Sequence, residues 1–192
     1  SFHMKKGQIT IFIILALFFV IAIVIIILFN SNINEEIPPM ATPIKSYIDS
    51  CLELTSDKAV KYIIFQGGYY NPMDSKEYLS LKVPYYFRLG QETIPNKKQF
   101  EEEISKYIEK ELPKCLNFTG FEKEGYKISS KSPKIQTDLE EVVEIHLDYL
   151  VSIKKEDNVV EFKDFEYVEY FNFNRLYDIL NSFVQEHQKN PD

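Results

Sequence analysis

The residues whose types most resemble a reactive site surround one histidine, His146, in a segment of alternating polar and apolar residues. Four carboxylates lie close to it in sequence: Glu140, Glu141, Glu144 and Asp148. Carboxylates and an imidazole can move protons or bind metal ions. No Cys, Ser or second His, however, lies at a spacing that would complete a catalytic set, and the plainer interpretation is a solvated strand face. We therefore predict no catalytic residues, no cofactor and no metal site, in a protein that is not an enzyme.

Two tyrosine-rich segments are the better candidates for a binding site. They read Gly68-Tyr69-Tyr70-Asn71-Pro72 and Pro84-Tyr85-Tyr86-Phe87. Flat amphipathic rings in loops suit contacts with sugars or with protein surfaces. In the alternative interpretation they fill the core, because a domain without tryptophan must use Phe and Tyr there. Both interpretations stay open for Tyr69, Tyr70, Tyr85 and Tyr86.

The chain has only two cysteines, Cys51 and Cys115. In an oxidising compartment such a pair predicts one disulfide. The alternative is two separately buried thiols, since cysteine is common in protein cores. Zinc is not expected with so few Cys and His. The tripeptide Asn117-Phe118-Thr119 matches the acceptor pattern for N-glycosylation, which predicts an exposed turn after Cys115.

Apolar periodicity predicts the elements that position these residues. Apolar residues spaced by threes and fours predict a helix from about Thr42-Pro43 to Gln66, which Gly67-Gly68 would end. Asn96 is a suitable N-cap for a second helix ending near Cys115. Residues 69–95 between them read as irregular, with one short strand expected at 82–89.

The second half of the chain has the pattern of antiparallel strands. In residues 142–153 apolar residues occupy every second position from Val143 to Ile153, a turn follows at 155–158, and residues 159–170 return as the partner strand. Weaker strands are expected at 125–130 and 133–138, and a last helix is expected to begin at Asn172 or Asn174. The predicted fold is α+β, with two helices, an antiparallel β-meander and a C-terminal helix.

An apolar run near the N-terminus predicts a transmembrane helix over residues 9–29. Every residue from Ile11 to Phe29 is apolar, and 21 helical residues span roughly 31 Å, the thickness of a bilayer core. A cleaved secretory signal would have a shorter run ending in small residues. Lys5 and Lys6 precede the run, which places the N-terminus in the cytoplasm and the rest outside, at the cell membrane.

These features divide the chain into four parts. Residues 1–8 form a cytoplasmic N-terminus, of which 1–3 precede Met4 and read as non-native; residues 9–29 span the membrane, 30–43 form a stalk, and 44–192 form the extracellular domain. Residues 30–192 carry a net charge of about −9, because 29 Asp and Glu face 22 Lys and Arg less the first two lysines. An acidic domain of this kind is a poor partner for nucleic acid.

The residues before the apolar run, Lys5-Lys6-Gly7-Gln8-Ile9-Thr10, resemble the class III signal peptide of archaeal type IV pilin-like proteins. The resemblance implies that a prepilin peptidase cuts between Gly7 and Gln8 and leaves the helix intact. Assembling pilins of this type commonly carry a glutamate at the fifth position after the cut, where this chain has Phe12. The alternative is an ordinary uncleaved signal anchor.

The rest of the chain is similar to an uncharacterised family of surface proteins from small-genome archaea. The similarity covers most of the domain and has no activity attached to it. The segments that carry it are residues 43–66, Gln66-Gly67-Gly68-Tyr69-Tyr70, Val83-Pro84-Tyr85-Tyr86 and the stretch from Tyr107 to Leu116.

Together these patterns predict a membrane-anchored, pilin-like surface protein with a role in adhesion, filaments or envelope structure. Its expected partners are the membrane, a prepilin peptidase and other pilin-like or envelope proteins. The alternative is an uncleaved, single-pass binding or sensor ectodomain that recognises a glycan or a protein through its tyrosine-rich loops.

Overall fold

The computed structural model of the chain describes residues 14–24, 38–88 and 91–189. The chain divides into two compact units, Ser1–Ile37 and Pro38–Asp192. In the first unit, residues 14–24 form a helix, α1, whose large apolar side chains are all exposed. No helix among the described residues is both long and apolar enough to cross a bilayer. The remainder of the predicted span over 9–29, and the predicted cut between Gly7 and Gln8, lie outside the described residues.

The second unit begins with a long helix, α2 (Thr42–Phe65), and contains a second one, α3 (Lys97–Cys115). Asn96 caps α3, since its side chain accepts a hydrogen bond from the Gln99 backbone N–H while the Gln99 side chain accepts one from the Asn96 N–H. The predicted cap is thereby confirmed. Helix α2 begins at Thr42, as the periodicity predicts, and Ala41 occupies its cap position without a side-chain hydrogen bond.

The remaining elements connect or extend these two helices. Two short hairpins separate α2 from α3, and their strands are β1 (Ser75–Tyr78), β2 (Leu81–Pro84), β3 (Phe87–Arg88) and β4 (Gln91–Glu92). After α3 come a short helix, α4 (Thr119–Lys123), and the strands β5 (Lys127–Ser130), β6 (Lys134–Leu139), β7 (Val143–Lys155) and β8 (Asn158–Glu169). A last helix, α5 (Phe173–Lys189), follows.

The 13-residue strand β7 is the centre of an antiparallel sheet. Strand β8 pairs with it from Val143 to Lys155, with a bulge between Asp148 and Val151. Strand β6 pairs with residues 143–148 of β7, and β5 pairs with residues 151–154. Because β8 occupies one side of β7, β5 and β6 lie end to end along the other side of β7. The α+β class is confirmed, although β5 joins β7 and not β6 as a simple meander would require.

One face of this sheet forms the core with α2 and α3. Alternate residues of β7 from Val143 to Ile153 are buried, because successive side chains of a strand point to opposite faces. They meet the apolar stripes of the helices, among which Ile48, Leu52, Ile104 and Ile108 are almost fully buried. The helices therefore cover one face, and the polar residues of β7 lie on the other.

A disulfide between Cys51 and Cys115 joins α2 to the last residue of α3, which confirms the predicted pairing. Tyr47, one helical turn before Cys51, supports the same junction. Its hydroxyl donates a hydrogen bond to the Cys115 carbonyl (2.5 Å) and accepts one from the Asn117 N–H (2.9 Å). The end of α3 is thus fixed to α2 by one covalent bond and two hydrogen bonds.

Candidate functional site

The tyrosine-rich segments lie between α2 and α3, and a buried amide at the end of α2 organises them. Gln66 is only 2% exposed. Its Nε2 donates hydrogen bonds to the carbonyls of Tyr69 (3.2 Å) and Tyr70 (2.9 Å), and its Oε1 accepts one from the Lys82 N–H (3.1 Å). One side chain therefore joins the first tyrosine segment to strand β2.

Two glycines after Gln66 let the loops approach closely. Gly67 and Gly68 have φ values of +68° and +89°, a region that disfavours residues with a Cβ. A Cβ on Gly67 would lie 2.6 Å from the Tyr86 hydroxyl, and one on Gly68 would lie 2.5 Å from the rings of Pro95 and Phe100. The glycines that end α2 are thus also required for the packing of this site.

Thr93, just beyond β4, connects the two tyrosine segments. Its carbonyl accepts a hydrogen bond from the Tyr69 hydroxyl (3.0 Å), and its N–H donates one to the Tyr86 carbonyl (2.8 Å). Its hydroxyl donates a further bond to the Tyr85 carbonyl. Burial raises the pKa of the Tyr86 phenol to about 12, because the phenolate would lose its hydration there. Tyr86 is therefore a packing residue of this loop.

Beside this framework lies a groove of about 380 Å³. Its walls combine aromatic and apolar surfaces with a few polar groups. They are formed by Tyr69, Asn71, Pro72, Met73, Asp74, Pro84, Tyr85, Thr93 and Glu103. Tyr85 is 43% exposed and Met73 is fully exposed, so part of this surface faces solvent. Small-molecule sites commonly combine apolar walls with a few polar groups and begin at about 300 Å³.

Glu103 of α3 reaches the wall of the groove with both carboxylate oxygens engaged. One oxygen accepts a hydrogen bond from the Tyr70 N–H (2.8 Å), and the other lies 2.6 Å from Lys106 Nζ. Burial, followed by the charge of Glu103, raises the pKa of Tyr69. The carboxylate therefore positions the loop, and its negative charge is offset by Lys106.

Tyr70 belongs to a different surface from Tyr69. Its ring packs against Tyr107 of α3 and Tyr62 of α2, with centroid distances of 5.4 and 6.2 Å, and Lys110 Nζ lies 5.1 Å from its centroid. Of the four predicted binding tyrosines, Tyr69 and Tyr85 thus line the groove, while Tyr70 and Tyr86 build the structure around it.

His146 and its neighbouring carboxylates lie on the sheet face opposite to the helices. His146 is within 3.4 Å of Glu166, 3.9 Å of Asp138 and 4.0 Å of Glu144, and these side chains are between 42% and 71% exposed. Within residues 14–24, 38–88 and 91–189, no group of three or more His, Cys, Asp or Glu is placed to hold a metal ion. This part of the sheet has the geometry of a solvated, charged face.

Asn117 lies on the exposed turn after α3, as the glycosylation pattern requires. Its side-chain oxygen accepts hydrogen bonds from the Thr119 N–H (3.1 Å) and hydroxyl (2.7 Å). The acceptor pattern is therefore accessible in the folded domain. Its modification remains a prediction.

Sequence reasoning located the tyrosines but not the residues that arrange them. Gln66, Thr93 and Glu103 have no feature in the sequence that separates them from other polar residues. Their roles depend on hydrogen bonds between residues 3 to 33 positions apart along the chain.

No protein-family model matches this chain, and neither a curated protein nor a solved structure matches it. The site must therefore be interpreted from its own geometry.

Proposed function

We propose that this chain is a membrane-anchored surface protein whose second unit works outside the cytoplasm, without enzymatic activity, in adhesion, filament or envelope structure. The observation that carries the proposal is the disulfide between Cys51 and Cys115. Disulfides form and persist in oxidising compartments and are rare in the cytosol. A domain with this bond is suited to the cell surface.

The apolar run over residues 9–29 supports anchoring. Where it is described, over residues 14–24, it is helical, and large apolar side chains such as Phe18 (76%) and Phe19 (63%) are exposed on all sides. A helix that is apolar all round is buried in lipid or among other helices. The basic pair Lys5-Lys6 ahead of it supports a cytoplasmic N-terminus and an extracellular second unit.

The pilin-like part of the proposal rests on Gly7-Gln8 and their flanks. A glycine leaves the scissile bond sterically open, and the lysines keep it at the inner membrane surface. Phe12, in place of the glutamate common in assembling pilins, favours anchoring over assembly into a filament. The partners proposed are therefore the membrane, a prepilin peptidase and neighbouring envelope proteins. The acidic charge disfavours nucleic acid as a partner.

Co-expression with an archaeal prepilin peptidase tests this proposal. We expect the intact mass of the membrane-extracted chain to correspond to a start at Gln8. A Gly7→Val variant should stay uncut, because a branched side chain at the scissile bond obstructs the peptidase. A wild-type chain that keeps residues 1–7 in the presence of active peptidase would refute processing.

Membrane topology needs a separate measurement. Protease added to intact cells should digest the second unit, whereas residues ahead of the apolar run should stay protected. Thiol labelling after denaturation without reductant should find no free cysteine. Two labelled cysteines, or a protected second unit, would contradict the proposed location.

The groove beside Tyr69 and Tyr85 favours a second candidate function, that of a binding or sensor ectodomain with an uncleaved anchor. Four hydrogen bonds that involve Gln66 and Glu103 preorganise the loops around the groove. Preorganisation reduces the entropic cost of binding. An uncut N-terminus together with specific ligand binding by the second unit would favour this candidate over the first.

A further inference from the structure

We infer that the groove formed by Tyr69 and Tyr85 binds a neutral carbohydrate. This inference rests on the proposed binding role and names the class of ligand. A sugar ring has an apolar C–H face and an edge of hydroxyls, so it needs flat apolar walls together with separated hydrogen-bonding groups. The groove of about 380 Å³ supplies both.

The apolar walls are fixed in place. The Tyr69 hydroxyl donates to the Thr93 carbonyl (3.0 Å), and the Tyr85 N–H donates to the Asp74 carbonyl (3.3 Å), so neither segment is a loose loop. Pro72 and Pro84 stiffen the backbone on either side of the groove. The side chain of Tyr85, 43% exposed, is the aromatic surface best placed to contact a sugar ring.

The polar groups suit a ligand without charge. Both oxygens of Glu103 are engaged, one by Lys106 Nζ (2.6 Å) and one by the Tyr70 N–H (2.8 Å), so its charge is offset before any ligand arrives. At the rim, Lys82 Nζ donates to the Asn71 side-chain oxygen (3.3 Å). Among the described residues no group accepts a hydrogen bond from the Asn71 amide nitrogen, so its two N–H donors can serve a hydroxyl. A cationic peptide would compete with Lys106 for Glu103, and the described residues that line the groove include no Lys, Arg or His to pair with an anionic ligand.

A binding panel tests the inference. The full chain is extracted in a detergent without a sugar headgroup, and mannotriose, cellotriose and galactotriose are titrated against it by isothermal titration calorimetry. Trigalacturonic acid and tetralysine serve as charged probes. We expect at least one neutral trisaccharide to bind, and to bind more tightly than either charged probe.

Three variants localise the binding. Tyr85→Ala should weaken the affinity by about tenfold, the effect of losing one good aromatic contact. Tyr85→Phe should change it by less than about threefold, because the ring remains. Tyr78→Ala removes a tyrosine that is 65% exposed outside the groove and should leave the affinity unchanged.

The possible outcomes separate the ligand class from the proposed function. Tighter binding of trigalacturonic acid or tetralysine than of any neutral trisaccharide, weakened by Tyr85→Ala, would refute a neutral carbohydrate as the ligand and retain the binding role. An absence of binding by all the probes, or sugar binding that Tyr85→Ala leaves unchanged, would refute the inference at this groove. Neither result alters the N-terminal mass or the topology measurement, which test the proposed function without a ligand.

Discussion

Replacing the buried amide of Gln66 should destabilise the domain and loosen the groove together. In Gln66→Met the side chain keeps nearly the same shape but loses every polar atom. The carbonyls of Tyr69 and Tyr70 and the Lys82 N–H then each lose a partner at 2.9–3.2 Å. An unsatisfied buried group costs about 1–3 kcal/mol, and these three are only partly buried. We therefore expect the free energy of unfolding to fall by about 2–4 kcal/mol.

Urea denaturation of the disulfide-bonded chain, followed by far-ultraviolet circular dichroism, measures this change. Gln185→Met is the matched control, since Gln185 is exposed on α5 and its replacement should cost less than about 0.5 kcal/mol. A total stability of about 5–15 kcal/mol leaves the Gln66 variant folded enough to measure. If both variants lose the same small amount, Gln66 does not organise the loops as described.

Three further predictions concern stability. Replacing both Cys51 and Cys115 with alanine should lower the free energy of unfolding by about 4 kcal/mol, because their bond closes a loop with a sequence separation of 64. A urea midpoint equal to that of wild type would contradict this prediction. Ser56→Ala should raise the free energy of unfolding by about 1 kcal/mol, since the buried hydroxyl has no hydrogen-bond partner among the described residues, and a loss of stability would show that a partner exists. Folding raises the pKa of the Tyr86 phenol to about 12. Its contribution to the free energy of unfolding should therefore be fully present below pH ~10 and be lost as the pH rises towards 12. Tyr86→Phe should remove that part of the fall in an alkaline denaturation series, and an unchanged profile would exclude Tyr86 as its source.

The regular elements were predictable because their signals are local. The alternation around Ile145 predicted β7 within two residues of its observed ends, Val143–Lys155. Asn96 predicted the start of α3, because a cap needs only the residues of one helical turn. The single short strand expected at 82–89 was wrong, since this region forms two hairpins. The first of them turns at Leu79 and Ser80, which adopt positive φ without a glycine to indicate it.

The groove could be predicted only in part. Repeated tyrosines indicated a surface for binding, but alternation and helical periodicity carry no information on which ring faces solvent. Tyr69 and Tyr70 are neighbours in sequence, but their rings belong to different surfaces. Glu103 accepts a hydrogen bond from the Tyr70 N–H and so fixes the backbone between them, while the Thr93 carbonyl holds the hydroxyl of Tyr69 alone. Such contacts depend on how α3 packs against α2, which a single sequence does not specify.

The disulfide also determines how the domain would respond to mechanical force. Tension on the chain ahead of Pro38 enters the second unit at Thr42, the first residue of α2. The hydrogen bonds of α2 can be pulled apart one turn at a time only as far as Cys51, where the covalent bond passes the load to Cys115 at the end of α3. When the opposing force acts on the chain beyond Cys115, the groove-forming loops, which begin at Gln66, lie inside the loop closed by the disulfide and carry no load. Under such a load the chain ahead of Cys51 extends while the groove keeps its shape.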